Sequence, residues 1–300
     1  MSNQAYRCGF VAVVGRPNVG KSTLINALMG SKVSIVTAKP QTTRHRILAV
    51  NTTASAQILF VDTPGIHRNA GKAMNRLMNR TATSALMDAD LVLFVIEANR
   101  WTEEDDDVLK RLKSSGIPTI ALLNKVDSVR PREALLERLS ELTERHDFAE
   151  LIPISAKKGD NLDVLLAGIP AFLPESPPLF PEEMRTDRSR EFHAAEVVRE
   201  KLTMMLHQEL PYGLTVQIER FVEEDDRFTI SAIIWVERDS QKGIVVGKGG
   251  SRLKQVGTAA RVELKRQLGR SVHLELWVKV KQNWADSEKD LHALGFDTPE

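Results

Sequence analysis

Residues 10–22 read Phe-Val-Ala-Val-Val-Gly-Arg-Pro-Asn-Val-Gly-Lys-Ser: an apolar run that breaks into a glycine-bracketed loop and then opens an amphipathic stretch at 21–29. Residues 15–22 fit the spacing G-x-x-x-x-G-K-[ST] in the strand–loop–helix setting that this spacing requires. Glycines let the loop wrap with successive N–H groups turned inward, and the helix N-terminus behind it completes a concave site for polyphosphate. Gly15, Arg16, Pro17, Asn18, Val19, Gly20, Lys21, Ser22 and Thr23 are therefore read as the nucleotide cradle. Lys21 would bring a point charge to the β- and γ-phosphates, and Ser22 a hydroxyl to Mg²⁺.

Outward from this loop, short apolar runs at 10–14, 58–62, 91–97, 119–124 and 151–155 alternate with amphipathic stretches at 21–29, 72–86, 104–115, 132–146 and 162–172. Strand–helix alternation predicts a mostly parallel sheet with helices on both faces, and ligands bind at the carboxyl ends of such strands. The remaining motifs fall at those ends. Asp62-Thr63-Pro64-Gly65 follows one strand; Asp62 can hold Mg²⁺ directly or through water, and Gly65 can present its N–H to a γ-phosphate. Asn124-Lys125-Val126-Asp127 follows another. A carboxylate at Asp127 can accept from both N1–H and the exocyclic amine of guanine. Adenine lacks that donor pair and would leave the acid unpaired, a loss worth orders of magnitude in selection. Asn124 can tie loops together, the Lys125 stem can lie along the base, and in Ser155-Ala156-Lys157 the Ala156 N–H can mark guanine O6.

Four prolines within residues 174–181 set off a semi-rigid linker, dividing the chain into 1–173, 174–182 and 183–300. Beyond it lie a helix at 192–210 stopped by Pro211, a weak strand at 215–221, and strict alternation at 228–236 and 272–280. Between the two strong strands, Gly247-Lys248-Gly249-Gly250 opens a basic helix over 251–268. Residues 238–281 hold 11 basic and 3 acidic residues although the whole chain balances 41 against 40. A G-x-x-G turn ahead of such a helix reads as a KH clamp on a single-stranded RNA backbone, with Gly247, Lys248, Gly249, Gly250, Arg252 and Lys254 as its contacts. Ile244, Val245, Leu253 and Val256 would floor the groove or join the core. Trp277 and Trp284 are read as packing against a terminal helix at 286–294 rather than stacking on bases.

GRPNVGKS, DTPG, NKVD and SAK, in this order, resemble the signature set of translation-factor-type GTPases. Nearly the whole chain, including Gln41-Thr-Thr-Arg-His45 and the ending HLELWVKVKQNW at 273–284, resembles the Era family of bacterial GTPases. The resemblance implies an α/β P-loop GTPase domain whose mostly parallel sheet has one antiparallel strand near 46–50, then a small α+β type II KH domain. It implies GTP hydrolysis to GDP and phosphate. It makes Thr43 the switch threonine on Mg²⁺, with Thr42 the competing choice, and Asn18 a K⁺ ligand. It implies binding near the 3′ end of 16S ribosomal RNA, assistance to 30S subunit maturation, a monomer, and a cytoplasmic protein with peripheral contact to the inner membrane. Lys21, Thr43, Gly65 and Asn18 are the expected catalytic set. Ras-like enzymes often place glutamine just after DxxG; here Ile66 stands there and cannot orient water, so intrinsic turnover should be slow. His67, Arg16 and Arg44 are read as solvated loop residues rather than a base or arginine fingers. Two alternatives fit part of the same motifs: a GTPase of tRNA modification or membrane transport, against which the KH pattern and the lack of a membrane span argue, and a nucleotide-binding RNA module with little turnover, suggested by Ile66.

Composition excludes several classes. With 42% hydrophobic and 27% charged residues the chain is an ordinary globular sequence. Cys8 is the single cysteine, which rules out an internal disulfide or a cysteine zinc cage and fits a reducing compartment. The first ten residues do not read as a secretory signal, and the apolar run at 91–96 is far short of a membrane span.

Overall fold

β1 (Arg7–Val14) is almost wholly buried because it lies inside a sheet covered on both faces. Val11 and Val13 enter the core beneath α1 (Lys21–Met29), while Ala12 and Val14 enter the core on the opposite face. The computed structural model describes residues 5–65, 72–131, 133–206 and 213–296. Its first sheet runs β2 (Ile47–Thr52), β3 (Ala56–Asp62), β1, β4 (Leu91–Glu97), β5 (Thr119–Asn124) and β6 (Glu150–Ile154). β2 is antiparallel to β3, and the other neighbours are parallel. β2 begins one residue beyond the start of the implied antiparallel strand.

α1 and α5 (Leu162–Gly168) cover one face; α2 (Ala73–Met87), α3 (Glu103–Ser115) and α4 (Ala134–Arg145) contribute to the core on the other. The helix expected over 162–172 ends early. Pro170 lacks a backbone N–H, and residues 169–172 tighten into a 3₁₀ turn. The proline-rich segment is laid against the first domain: Cys8 N donates to Pro174 O (3.1 Å), Ser176 N to Tyr6 O (3.1 Å), and Gln57 Oε1 accepts from Leu179 N and Phe180 N.

The second sheet orders β7 (Leu214–Glu223), β8 (Arg227–Val236) and β9 (Ser271–Val280), with β7 antiparallel to β8 and β8 parallel to β9. α6 (Arg190–Met205) and α8 (Ser251–Leu268) cover its apolar face. The parallel pair needs a crossover, which α8 provides. A short helix, α7 (Asp239–Val246), precedes the glycine loop. Gly243 and a β-branched run disfavour helix there, but Gln241 Oε1 reaches back to Glu237 N (2.8 Å) and Arg238 N (3.1 Å). α6 ends at Met205, short of the expected end at 210, because the backbone turns extended at Leu206; Pro211 itself lies outside the described residues. No described helix is long and apolar enough to cross a membrane.

The two domains share a joint. Trp284, fully buried, packs with α9 (Glu288–Ala293) and Phe296 against Ala73, Met74, Leu77 and Met78 of α2. Ala73 N donates to Asp286 Oδ1 at 2.9 Å. The expectation for Trp284 is met; that for Trp277 is not, since its side chain stands 57% exposed on β9, on the sheet face opposite α6 and α8.

Candidate active site and nucleic-acid interface

Gly20 has φ +108°, and a Cβ there would meet Asn124 Nδ2 at 2.4 Å, so this position requires glycine. The loop turns Lys21 inward, where Nζ donates to Gly15 O (2.9 Å) and Arg16 O (3.0 Å). Burial lowers the Lys21 pKa from 10.5 to about 8, with Asp62 opposing the shift. Ser22 Oγ, at the start of α1, lies 2.8 Å from Thr43 Oγ1 and donates to Asp62 Oδ2 at 3.0 Å; Thr43 Oγ1 donates to the same oxygen at 3.4 Å. Thr42 is engaged elsewhere, with Thr37 Oγ1 and Lys39 O, both at 2.6 Å. Asp62 is fully buried, its carboxyl raised by that burial against the opposing pull of Ser34, Lys21, Ser22 and Thr43. Among the described residues its Oδ1 has no hydrogen-bond partner. One buried carboxylate with a bare oxygen, beside two hydroxyls, is a hard oxygen set that suits Mg²⁺.

A cavity of about 280 Å³ opens over these groups. Its walls include Asn18, Lys21, Ser22, Thr43, Gly65 and Lys125, together with the irregular stretch 35–42. Ile35 and Val36 were not anticipated, because nothing in an irregular apolar pair signals a pocket wall. Ile66 and His67 lie outside the described residues.

The base loop adjoins the cavity. Asn124 Nδ2 donates to Val19 O (2.7 Å) and its Oδ1 accepts from Ala156 N (3.0 Å), so one amide ties the phosphate loop to the Ser155–Lys157 loop. This changes the expectation for Ala156: its N–H is spent on Asn124 rather than turned toward a base. Ser155 Oγ donates to Asp127 Oδ1 at 2.7 Å and orients that carboxylate. Lys125 has φ +68°, and its Nζ lies 3.3 Å from Glu97 Oε1. Lys157 is exposed.

Two arginines are not solvated. Arg16 is buried and bonds Glu97 Oε2 (2.7 Å) and Asp105 Oδ2 (3.1 Å). Arg44 is buried and donates to Leu214 O at 2.7 Å, across the domain joint. Both were read as loop cations because their acceptors are remote in sequence. The second domain also grips the stretch 32–42. Glu200 accepts from Lys32 Nζ (2.7 Å) and Val36 N (3.0 Å), Arg199 donates to Thr42 O, and Lys39 Nζ donates to Leu206 O. Glu196 and Arg199 form a buried pair at 2.7 Å, and although burial pushes the Glu196 carboxyl up, Arg199 holds it below its ordinary value.

In the glycine loop Gly247, Gly249 and Gly250 have φ of +75°, +57° and +78°. A Cβ on Gly247 would approach Arg252 Cβ to 2.8 Å. Lys248 is exposed at the loop tip, while Arg252 turns back, donating to Ile244 O at 2.5 Å, and buttresses the loop instead of extending its charge. A groove of about 450 Å³ runs from Gly250 and Lys254 between α8 and β9; Leu253 and Leu276 line it with Arg261 and His273. Val245 and Val256 are core, whereas Ile244 is 47% exposed. Arg261 was missed, although it follows Lys254 by seven residues, two helical turns along the same face.

The comparisons with known proteins agree along the chain. A family model described as 50S ribosome-binding GTPase matches residues 10–125, and one described as KH domain matches residues 209–285. The chain is 50% identical over 298 residues to GTPase Era of Stenotrophomonas maltophilia, covering 99% of this chain and 100% of that one. It is 49% identical over 297 residues to GTPase Era of Vibrio parahaemolyticus, covering 98% and 93%. Among solved structures it is similar to a variant of Aquifex aeolicus Era bound to GDP and AlF4⁻, with TM-score 0.93, 42% identity, and 96% and 99% of the two chains covered. It is equally similar, at TM-score 0.93 and 41% identity over 97% and 99%, to Era in complex with MgGDPNP and nucleotides 1506–1542 of 16S ribosomal RNA. At half identity along nearly the full length of both chains, with the two domains superimposing as one unit, this chain belongs to the Era family: it is a GTPase carrying a C-terminal KH domain.

Proposed function

We propose that this GTPase is a timed RNA-binding switch, which engages small-subunit ribosomal RNA near its 3′ end and assists maturation of the 30S subunit. The observation that carries the reading is the convergence of Ser22, Thr43 and Asp62 at the mouth of the phosphate loop, in a chain whose second domain grips the Thr43 segment. An RNA target is supported by the similarity to the Era complex with 16S ribosomal RNA nucleotides 1506–1542.

In this reading Ser22, Thr43 and Asp62 hold Mg²⁺, which would neutralise charge on the β- and γ-phosphates. Lys21 and the N–H groups of the loop from Gly15 to Thr23 bind the phosphates. Gly65 contacts the γ-phosphate, and Asp127, oriented by Ser155, selects guanine. Asn124 and Ala156 act together as the clip between loops. Asn18, exposed on the cavity wall, is assigned to K⁺, and Ile66 makes turnover slow. In the second domain the loop from Gly247 to Gly250, with Lys248 and Lys254, clamps the RNA backbone, and Arg261 extends the charge along the groove. Domain limits at residues 173 and 183, a monomeric state and a cytoplasmic location complete the proposal.

The test is single-turnover GTP hydrolysis with and without an RNA spanning the 3′ end of 16S ribosomal RNA, in K⁺ and in Na⁺ at matched ionic strength. Faster hydrolysis in K⁺ supports the Asn18 role, and equal rates remove it. Saturable, GTP-favoured binding of that RNA over a scrambled control supports the switch; indifference to both nucleotide and sequence would sink it.

A further inference from the structure

Glu97 stands between the two loops proposed to hold opposite ends of the nucleotide. It is the last residue of β4, and its two carboxylate oxygens serve different partners. Oε2 accepts from Arg16 Nη2 at 2.7 Å, and Oε1 lies 3.3 Å from Lys125 Nζ. Arg16 is the second residue of the phosphate loop. Lys125 is the second residue of the base motif and is held in the left-handed region, which non-glycine residues enter rarely.

Arg16 is anchored a second time, through Nε to Asp105 Oδ2 at 3.1 Å. The same oxygen accepts from Thr102 N and Thr102 Oγ1, both at 2.9 Å. The carboxylate that caps α3 therefore also fixes the phosphate loop. The two acids shift in opposite directions. Burial raises both; at Glu97 Arg16 and Lys125 together outweigh it and hold the carboxyl below its ordinary value, whereas at Asp105 burial prevails over Thr102 and Arg16. Of the two, Glu97 is the one within reach of both loops.

We propose that Glu97 is a positioning residue for nucleotide binding, coupling the phosphate loop through Arg16 to Lys125 at the base site so that phosphate grip and base contact are set as one unit. The inference rests on the assignment of residues 124–127 as the base site. Because Arg16 faces Glu97 and Asp105, its role is to hold the loop's shape, and its guanidinium is not a transition-state finger.

The experiment is stopped-flow release of N-methylanthraniloyl-GDP, with Mg²⁺, from the full-length protein. E97Q should release about tenfold faster than the parent, the lower end of what loss of a charge-assisted hydrogen bond produces. E97Q combined with K125A should release no faster than E97Q alone, since E97Q already cuts the Lys125 link. Touching residues fail to add whatever their role, so the coupling is read from R16A and K125A: their effects on release should fall short of multiplying in the parent and multiply in the E97Q background. Release by E97Q within twofold of the parent, or effects of R16A and K125A that multiply in the parent, overturns the proposal. Should E97Q not fold, E97D keeps the charge on a shorter arm and is expected to show severalfold faster release with the same non-additivity. D127N measured alongside separates the two claims. If it loses preference for GDP while R16A and K125A multiply in the parent, the coupling alone is wrong; if it keeps that preference, the base-site assignment fails and the coupling with it.

Discussion

Raising the pH from 7 to 9 should weaken GDP binding about tenfold through Lys21. The ammonium is buried against loop carbonyls, and that desolvation lowers its pKa from 10.5 to about 8, Asp62 offsetting only part of the shift. A bound polyphosphate supplies the missing counter-charge, so the complex keeps the lysine protonated where the free protein has lost the proton. The free protein is about nine-tenths charged at pH 7 and about one-tenth at pH 9, and that ratio is worth about 1.4 kcal/mol of affinity. At pH 8, binding should take up about half a proton. The sign for folding is the opposite: the unfolded chain binds more protons between about pH 8 and 10.5, so Lys21 makes the unliganded fold gain stability as pH rises through that window. Calorimetric titration of GDP with Mg²⁺ at pH 8, in two buffers of different ionisation heat, measures the uptake directly. K21R, charged at every pH used, should bind with no such uptake. Zero uptake by the parent protein, or an equal pH dependence in K21R, refutes the argument.

Three further outcomes follow from other parts of the molecule. D127N should shift preference from GTP toward XTP, whose C2 carbonyl can pair with the new amide donor; an unchanged ranking in competition binding counts against Asp127 as the selector. K248D combined with G249D should weaken RNA binding at least tenfold, through lost phosphate contact and added repulsion, while leaving GDP affinity within about twofold. Gel-shift and calorimetry on one preparation check both halves, and intact RNA binding would move the clamp elsewhere. E200A removes a buried acceptor from Lys32 and Val36 N, a loss of about 1–3 kcal/mol. Backbone amides over 33–42 should then exchange hydrogen faster, and unchanged protection there would mean that the second domain does not hold this segment.

The sheet, its helices and the motifs at the strand ends were legible from residues 10–14, 91–97 and 119–124 because strands buried on both faces must be apolar throughout. The KH-like half was legible from strict alternation on β8 and β9 and from a glycine loop that only glycine can form. These are local constraints, written in periodicity and in residue types that few others can replace. The pairing of Ser22 with Thr43 rather than Thr42 was decided by tertiary structure, because two adjacent threonines carry no local difference and Thr42 is drawn away by Thr37 and Lys39. The same holds for Arg16 and Arg44, whose partners Asp105 and Leu214 lie 89 and 170 residues further on. A charge reads as solvated until a distant segment of chain folds over it. The joint between domains was the least visible of all, since Trp284 and Phe296 bury themselves against a helix of the other domain, and no periodicity within one segment records the face of another.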